Sequence, residues 1–417
     1  MQYSTFAAID IGSYDVILEI FEISKKQGIR SVDKICHRME LGKDTYTLGK
    51  IRPEMEEELC RVLADFVRIM EGYRVDDYRA TASSAISEAS NSLYVLGKIH
   101  QLTGLSVTVL SNSEQRFLSY KALAAMEDNF NKIIEKGTAI LDLDGGSFQI
   151  SLFDKDALVT TQNIRMGSLR IRERLAGIQS ETEHYEEMVE ELIWNEVSSF
   201  KKMYLKDRKI ENIMLIGDVF TDSVYQNIEE KTTKIISREN FNTWYEKIIR
   251  QSPMELAVKL GIPLENASLM YPSAVIYKCL IDMMGAEHIW IPGVHMTRGI
   301  AYEYAEQMKL LKGGHNFEND ILMAAKNIGK RYAVNRPHVQ NLEMTALAMF
   351  DATKKMHGMK ERERLLLQMA VMLHDVGKYI SFNNVADSSY NIIMSNEIIG
   401  LSHIEREMVA LLSLIHI

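Results

Sequence analysis

Two short stretches carry residue types suited to phosphate chemistry. Ala8-Ile9-Asp10-Ile11-Gly12-Ser13 and Leu141-Asp142-Leu143-Asp144-Gly145-Gly146-Ser147 each deliver an aspartate from a β-prone apolar run and follow it at once with a tight turn of small residues. Glycine lets the backbone approach a ligand, backbone N–H groups and a serine hydroxyl cradle phosphate oxygens, and the carboxylate holds a hard cation or a water. Either stretch alone reads as an ordinary turn. Asp10 and Asp142 lie 132 residues apart, and two copies at that spacing point to two related units facing each other across a cleft.

Three further groups could do chemistry beside these loops. Glu114 follows Leu110-Ser111-Asn112-Ser113 at the mouth of a strand. It reads either as a carboxylate capping a helix N-terminus or as a general base that polarises a water, provided Asp142 lies opposite. Arg165-Met166-Gly167-Ser168 closes a strand with a cation, and Arg170 follows; paired arginines beside two phosphate loops suit a polyanion. His338 stands 36 residues before the pair His374-Asp375, which ends an apolar run and leads into Val376-Gly377-Lys378. Two imidazoles and a carboxylate form a ligand set for a divalent metal.

To position these residues the chain needs strands that end at the loops and helices that cover them. Residues 5–11 read as a buried strand, 16–23 as its hairpin partner and 31–41 as a third strand. Pro53 opens a helix whose apolar residues Leu59, Val62, Leu63, Phe66, Val67 and Met70 recur at helical spacing until Gly72. A strand at 78–80, a helix over 91–102, a strand at 106–110 and a helix capped by Ser113 complete the first pattern. Strands at 138–143, 148–153 and 157–166 start it again, with a helix over 181–204 and further strands at 213–216 and 288–291. After Lys312-Gly313-Gly314-His315-Asn316, read as a linker, the strand signal ends; helices are predicted at 319–330, 337–357, 361–374 and from 405 onward. The predicted organisation is a first α/β unit over 1–130, a second over 131–312 and a helical unit over 317–417, an α/β protein with a duplicated domain.

Composition narrows the function classes without choosing one. At 417 residues the chain is too long for one ordinary core. Its formal net charge of −9 opposes nucleic acid over much of the surface. Cys36, Cys60 and Cys279 share no CxxC spacing, so neither a disulfide framework nor a zinc knuckle is indicated, and a reduced, cytoplasmic setting is expected. The N-terminus lacks a basic segment and Asp10 interrupts its apolar run, so a secretory signal is not expected. No uninterrupted apolar stretch approaches the roughly 20 residues a membrane span needs, and no membrane partner is expected.

The ordered set of motifs resembles a known family. Asp10-Ile11-Gly12-Ser13, Thr81-Ala82-Ser83-Ser84-Ala85 with Glu88-Ala89 and Asn91, Ser111-Asn112-Ser113-Glu114, the second aspartate loop, Arg165-Met166-Gly167 and His374-Asp375-Val376-Gly377 together resemble the exopolyphosphatase/guanosine-pentaphosphate phosphatase (Ppx/GppA) family with a C-terminal HD-type domain. The likeness covers essentially the whole chain. It implies duplicated actin-like, ribonuclease-H-like domains, a hydrolase that removes terminal phosphate from polyphosphate or from guanosine pentaphosphate with Mg2+, and a homodimer. By motif, Glu114 resembles the residue that positions the attacking water. Asp142 resembles the metal-linked carboxylate, with Asp10 and Asp144 beside it. Gly12, Ser13, Gly145, Gly146, Ser147 and Arg165 resemble the phosphate cradle, and His338, His374 and Asp375 the divalent-metal ligands of the HD-type segment.

The departures from that pattern bear on turnover. Tyr14-Asp15 follow Ser13 where the family reads Asn-Ser, and Ser87 stands where an arginine commonly follows the Thr-Ser-Ala turn. Asp144 takes the place of the first of three glycines, Phe148-Gln149 replace Thr-Glu, and Asp218-Val219-Phe220 occupy an expected Gly-x-Ser-Gly-Thr-like turn. Asp144 is expected to adopt the loop's left-handed turn close to phosphate, where a metal would have to bridge the two anions. In the tail, Asp387-Ser388-Ser389-Tyr390 stand where relatives place histidines, and the sequence ends inside the expected HD-type segment before its distal aspartate. The leading expectation is a phosphoric-anhydride hydrolase. A polyphosphate- or nucleotide-binding regulator on the same scaffold is the alternative, and an actin-like ATP-dependent kinase or chaperone a weaker one.

Overall fold

The computed structural model describes residues 4–126, 130–155, 157–176, 185–227, 234–311 and 315–415, and in them one sheet topology occurs twice. β1 (Ser4–Ile11) is buried from Phe6 to Ile9, as an apolar run covered on both faces must be. It pairs antiparallel with β2 (Asp15–Ser24), which carries β3 (Gly28–Arg38), and parallel with β4 (Asp77–Ala82), which carries β5 (Val107–Val109). In the second sheet β6 (Thr138–Leu143) pairs antiparallel with β7 (Phe148–Asp154), which carries β8 (Ala157–Ile164). On its other side β6 runs parallel with β9 (Asn212–Ile216); β10 (Ile235–Ser237) and β11 (His288–Trp290) finish the order β10-β11-β9-β6-β7-β8. β6 is therefore the counterpart of β1, and Asp10 and Asp142 each stand one residue before the end of these equivalent strands.

The predicted third strand stops at Arg38, because the chain turns there into a helix, Leu41–Leu48, that Gly49 ends in a left-handed conformation. The backbone N–H of Gly42 donates to the carbonyl of Ser13 at 2.8 Å, which pins this helix to the first aspartate loop. The predicted helix over 181–204 appears as Tyr185–Phe200 followed by one wider π turn at Lys201–Leu205. Its predicted start at 181–184, and 312–314 of the predicted linker, lie outside the described residues.

The chain's order and its packing divide differently. The helix Met296–Gln307, placed by sequence order in the second unit, crosses back to the first sheet. Its Ile300, Ala301, Tyr304 and Ala305 bury Phe6, Ala8, Phe21 and Ile23, and the rings of Phe6 and Tyr304 stack at 4.1 Å. A Cβ at Gly299 would lie 2.1 Å from the carbonyl oxygen of Leu118, so only glycine allows this helix to cross Asn112–Met126 so closely. The expected boundary at 312 therefore follows the chain rather than the cores.

The C-terminal segment is all helical among the described residues: Phe317–Arg331, Arg336–His357, Glu361–Leu373, Val385–Ser395 and His403–Ile415, with a short 3-10 turn at Val376–Tyr379. The helix Val385–Ser395 was not predicted. This segment is no separate ball on a linker, since Ile321, Ala325, Met369 and Ile399 share one core with Ile140, Phe153, Leu158, Met214 and Ile216 of the second sheet. Among the described residues no helix is long and apolar enough to cross a membrane.

Candidate active site

The ends of β1, β6 and β9 converge on a cleft of about 320 Å³. Asp10, Asp15, Asp142, Asp144, Asp218 and Asp222 line it, facing the cationic side chains Lys34 and Arg38 and the imidazole of His295. Burial, reinforced by the charges of Asp15, Asp144 and Asp142, pushes the Asp10 carboxyl up to about 8. Burial likewise raises Asp142 to about 7, against the opposing influence of Ser119, and Asp218 to about 7. Among the described residues, Asp10 Oδ1 and Asp218 Oδ2 are buried without a hydrogen-bond partner. Unpartnered carboxylate oxygens at such a density carry a desolvation and repulsion cost that a hard divalent cation relieves, so the donor set fits Mg2+.

The two aspartate loops are each closed on themselves and pressed against each other. In the first, Gly12 N–H donates to Asp15 O at 2.9 Å. Ser13 Oγ lies 2.7 Å from the Tyr46 hydroxyl and 3.2 Å from Ser84 Oγ, and Tyr46 itself is 2.8 Å from Ser84. In the second, Asp144 Oδ1 accepts the backbone N–H of Gly146 and that of Ser147, the latter at 2.9 Å. The amides expected to cradle phosphate are thus held by the loop's own carboxylate. Asp144 is also not left-handed, contrary to expectation, because its side chain closes the turn as an Asx-turn does and no positive φ is required. A Cβ at Gly146 would meet the Tyr46 hydroxyl oxygen at 2.1 Å and Ser84 Oγ at 2.5 Å, so glycine lets the second loop sit against the helix Leu41–Leu48 and Ser84.

The arginines near the loops are tied into contacts that cross the cleft. Arg170 donates to Gly146 O at 2.8 Å, pairs with Glu88 at 3.0 Å, and sets its guanidinium 3.8 Å from the Tyr46 ring centroid. Arg172 pairs with Glu40 at 2.8 Å and Glu173 at 2.7 Å. Tyr14 donates its hydroxyl proton to Asn266 Oδ1 at 2.7 Å. Arg165, an expected phosphate ligand, is exposed and does not line the cleft. The turn that brings Arg170 to the loop directs Arg165 to solvent.

Glu114 takes the capping role of its two readings. Ser111, rather than Ser113, is the residue at the helix start: its N–H and Oγ–H donate to Glu114 Oε2 at 2.8 and 2.7 Å, and Glu114 N–H donates to Ser111 Oγ at 3.2 Å. This reciprocal pair is a capping box. It folds the carboxylate back on the helix end, outside the residues that line the cleft. The next residue, Gln115, turned about 100° around the helix, lines the cleft with Ser119 and Asp142. His295 also lines the cleft and Tyr46 packs between Ser13, Ser84 and Gly146 beside it, and neither belongs to a motif that marks it in the sequence; Gln115 had one signal, its place beside a predicted site residue. Val219 lines the cleft while Phe220 is buried in the second core.

The helical segment does bring its three expected ligands together. One donor atom from each of His338, His374 and Asp375 lies within 4.8 Å of the others. His374 Nδ1 is 2.7 Å from the Val371 carbonyl, which fixes the ring with Nδ1–H as donor and Nε2 toward Asp375 Oδ1 at 3.3 Å. Asp375 Oδ2 is ion-paired to Lys378 at 2.6 Å.

Comparison with known proteins places these features in context. The family model described as Ppx/GppA phosphatase family matches residues 20–308, and that described as Ppx/GppA phosphatase, domain III, matches 322–417. A bifunctional 3-dehydroquinate synthase/phosphatase of Fusobacterium nucleatum is 21% identical over 68% of this chain, which spans 44% of that protein. A guanosine-5'-triphosphate,3'-diphosphate pyrophosphatase of Vibrio atlanticus is 18% identical over 96% of this chain and 78% of its own length. Among solved structures, an exopolyphosphatase from Cytophaga hutchinsonii superposes with a TM-score of 0.65 at 17% identity, covering 73% of this chain and 98% of that one. The Aquifex aeolicus Ppx/GppA protein does so with 0.61 at 17% identity, over 74% and 99%. These likenesses establish the two-unit α/β fold. The C-terminal match is to a domain of the family itself, and an HD-type assignment is not needed to account for it.

Proposed function

Because the chain belongs to the Ppx/GppA phosphatase family, we propose that its cleft hydrolyses a terminal phosphoanhydride, of inorganic polyphosphate or of guanosine pentaphosphate. The observation that carries this is the equivalence of Asp10 and Asp142, penultimate residues of matching strands that face one cleft. A Mg2+ ion held by these two carboxylates, with Asp144 beside them, would neutralise phosphate charge, which is the main demand of phosphoryl transfer. Gly12, Ser13 and Gly145 border the space where the terminal phosphate would sit. Phosphate release from each substrate with Mg2+ tests the reading. Wild type is expected to release phosphate and Asp142→Asn to lose at least ~100-fold; equal rates would sink it.

A second reading, a polyphosphate- or nucleotide-binding regulator on the same scaffold, draws on Asp144, whose carboxylate holds the Gly146 and Ser147 amides, and on the pairing of Arg170 and Arg172 with acids. A ligand that raises the melting temperature without being cleaved would favour it. In the helical segment, His338, His374 and Asp375 make a second candidate site for a divalent cation.

A further inference from the structure

We propose that Gln115, not Glu114, holds the attacking water, and that this chain therefore hydrolyses its substrate without a protein general base at that position. The inference rests on the hydrolase reading above and adds to it which side chain addresses the nucleophile. Four observations carry it. Glu114 spends its carboxylate on Ser111 in a closed capping box. Gln115 lies on the same helix face as Ser119, four residues on, and both border the cleft beside Asp142. Gln115 is only 5% exposed. Its Nε2 is buried with no hydrogen-bond partner among the described residues.

A buried amide N–H without a partner costs about 1–3 kcal/mol, and native structures keep such groups rarely. Gln115 borders a cleft that carboxylates also line, so the oxygen that would match its amide donor is one that arrives from outside, either a water or a phosphoryl oxygen. The amide offers a donor and an acceptor together, which suits orienting a water, but it cannot take a proton. The step then balances within the substrate. The water oxygen forms the new P–O bond, and the anhydride P–O bond breaks with its electron pair staying on the shortened chain. One hydrogen remains on the former water oxygen and the other passes to a non-bridging oxygen of the same phosphoryl group, so dihydrogen phosphate leaves.

The test measures phosphate release from linear inorganic polyphosphate with Mg2+ across pH for wild type, Gln115→Leu, Gln115→Glu and Glu114→Gln. Gln115→Leu should lose at least ~10-fold in kcat with little change in KM, while its melting temperature holds or rises because an unpaired buried amide is gone. Gln115→Glu should gain about 100-fold in kcat, the range a positioned base supplies, and acquire an acidic limb in its pH profile that wild type lacks. Glu114→Gln, which keeps the capping geometry, should leave kcat unchanged. The proposal is overturned if Gln115→Leu keeps the wild-type kcat, or if Gln115→Glu falls to the level of Gln115→Leu. Release by none of the four proteins would instead remove the hydrolase reading on which the proposal stands.

Discussion

Arg116 and Glu397, 281 residues apart in sequence, meet at 2.8 Å across the junction of the helix Asn112–Met126 and the C-terminal helical segment. Arg116 is only 3% exposed, and its guanidinium also donates to Gln149 Oε1 at 2.6 Å and to the Thr161 hydroxyl. Burial pulls its pKa down, while Glu397 and Asp142 act to hold the charge. One cation thus joins a cleft-lining residue of β7, an inner residue of β8 and the helical segment. The expected outcome of Glu397→Ala is a loss of about 3 kcal/mol in urea unfolding, because a buried guanidinium is left uncompensated. Replacing both partners, Arg116→Met with Glu397→Met, should cost less than the sum of the single changes.

Proton and metal compete for the cleft carboxylates. The Asp10 carboxyl goes from about 3.8 unfolded to about 8 folded, and Asp142 and Asp218 rise to about 7. The folded state therefore holds protons that the unfolded chain has already released, so stability falls as pH rises from the unfolded to the folded pKa values. In chelator, the melting temperature should fall between about pH 5 and pH 8. Mg2+ should raise it more at about pH 8 than at about pH 6, since the cation takes the place of those protons. A melting temperature that climbs across this window in chelator would contradict the assignment.

Asp144→Gly removes the carboxylate that holds the Gly146 and Ser147 amides. The free protein should lose about 1 kcal/mol with those hydrogen bonds. Affinity for pyrophosphate or polyphosphate, read by calorimetry with Mg2+, should rise several-fold as two N–H groups become available and a like charge is lost. Unchanged affinity would mean that the loop is no part of the anion site.

For the helical segment, Mn2+ or Zn2+ titrated calorimetrically should bind wild type and lose at least ~10-fold in affinity on His374→Ala, with the proton release expected of imidazole ligation. Binding that survives both His374→Ala and His338→Ala would place the metal elsewhere.

The fold was legible where the signal is local and repeated. The apolar run of 5–11 that carries Asp10 and its echo at 138–143 marked the two central strands, and Pro53 and Gly72 bounded their helix at the observed residues. The helix Leu41–Leu48 was lost because its apolar leader, Met39 and Leu41, reads as a continuation of β3. What sequence could not reveal is direction around a helix end: Glu114 and Gln115 are adjacent, and only the position of Ser111 decides which of them faces the cleft. Asp144 was legible as an intruder among glycines, but its use as an internal anion depends on turn geometry that spacing does not contain.

The return of Met296–Gln307 to the first sheet also fixes when that sheet is finished. During synthesis Phe6, Ala8, Phe21 and Ile23 are made early and Leu118 follows, yet most of the residues that cover them, Ile300, Ala301, Tyr304 and Ala305, come only after the whole second sheet. A nascent chain therefore exposes an apolar sheet face through most of its own translation.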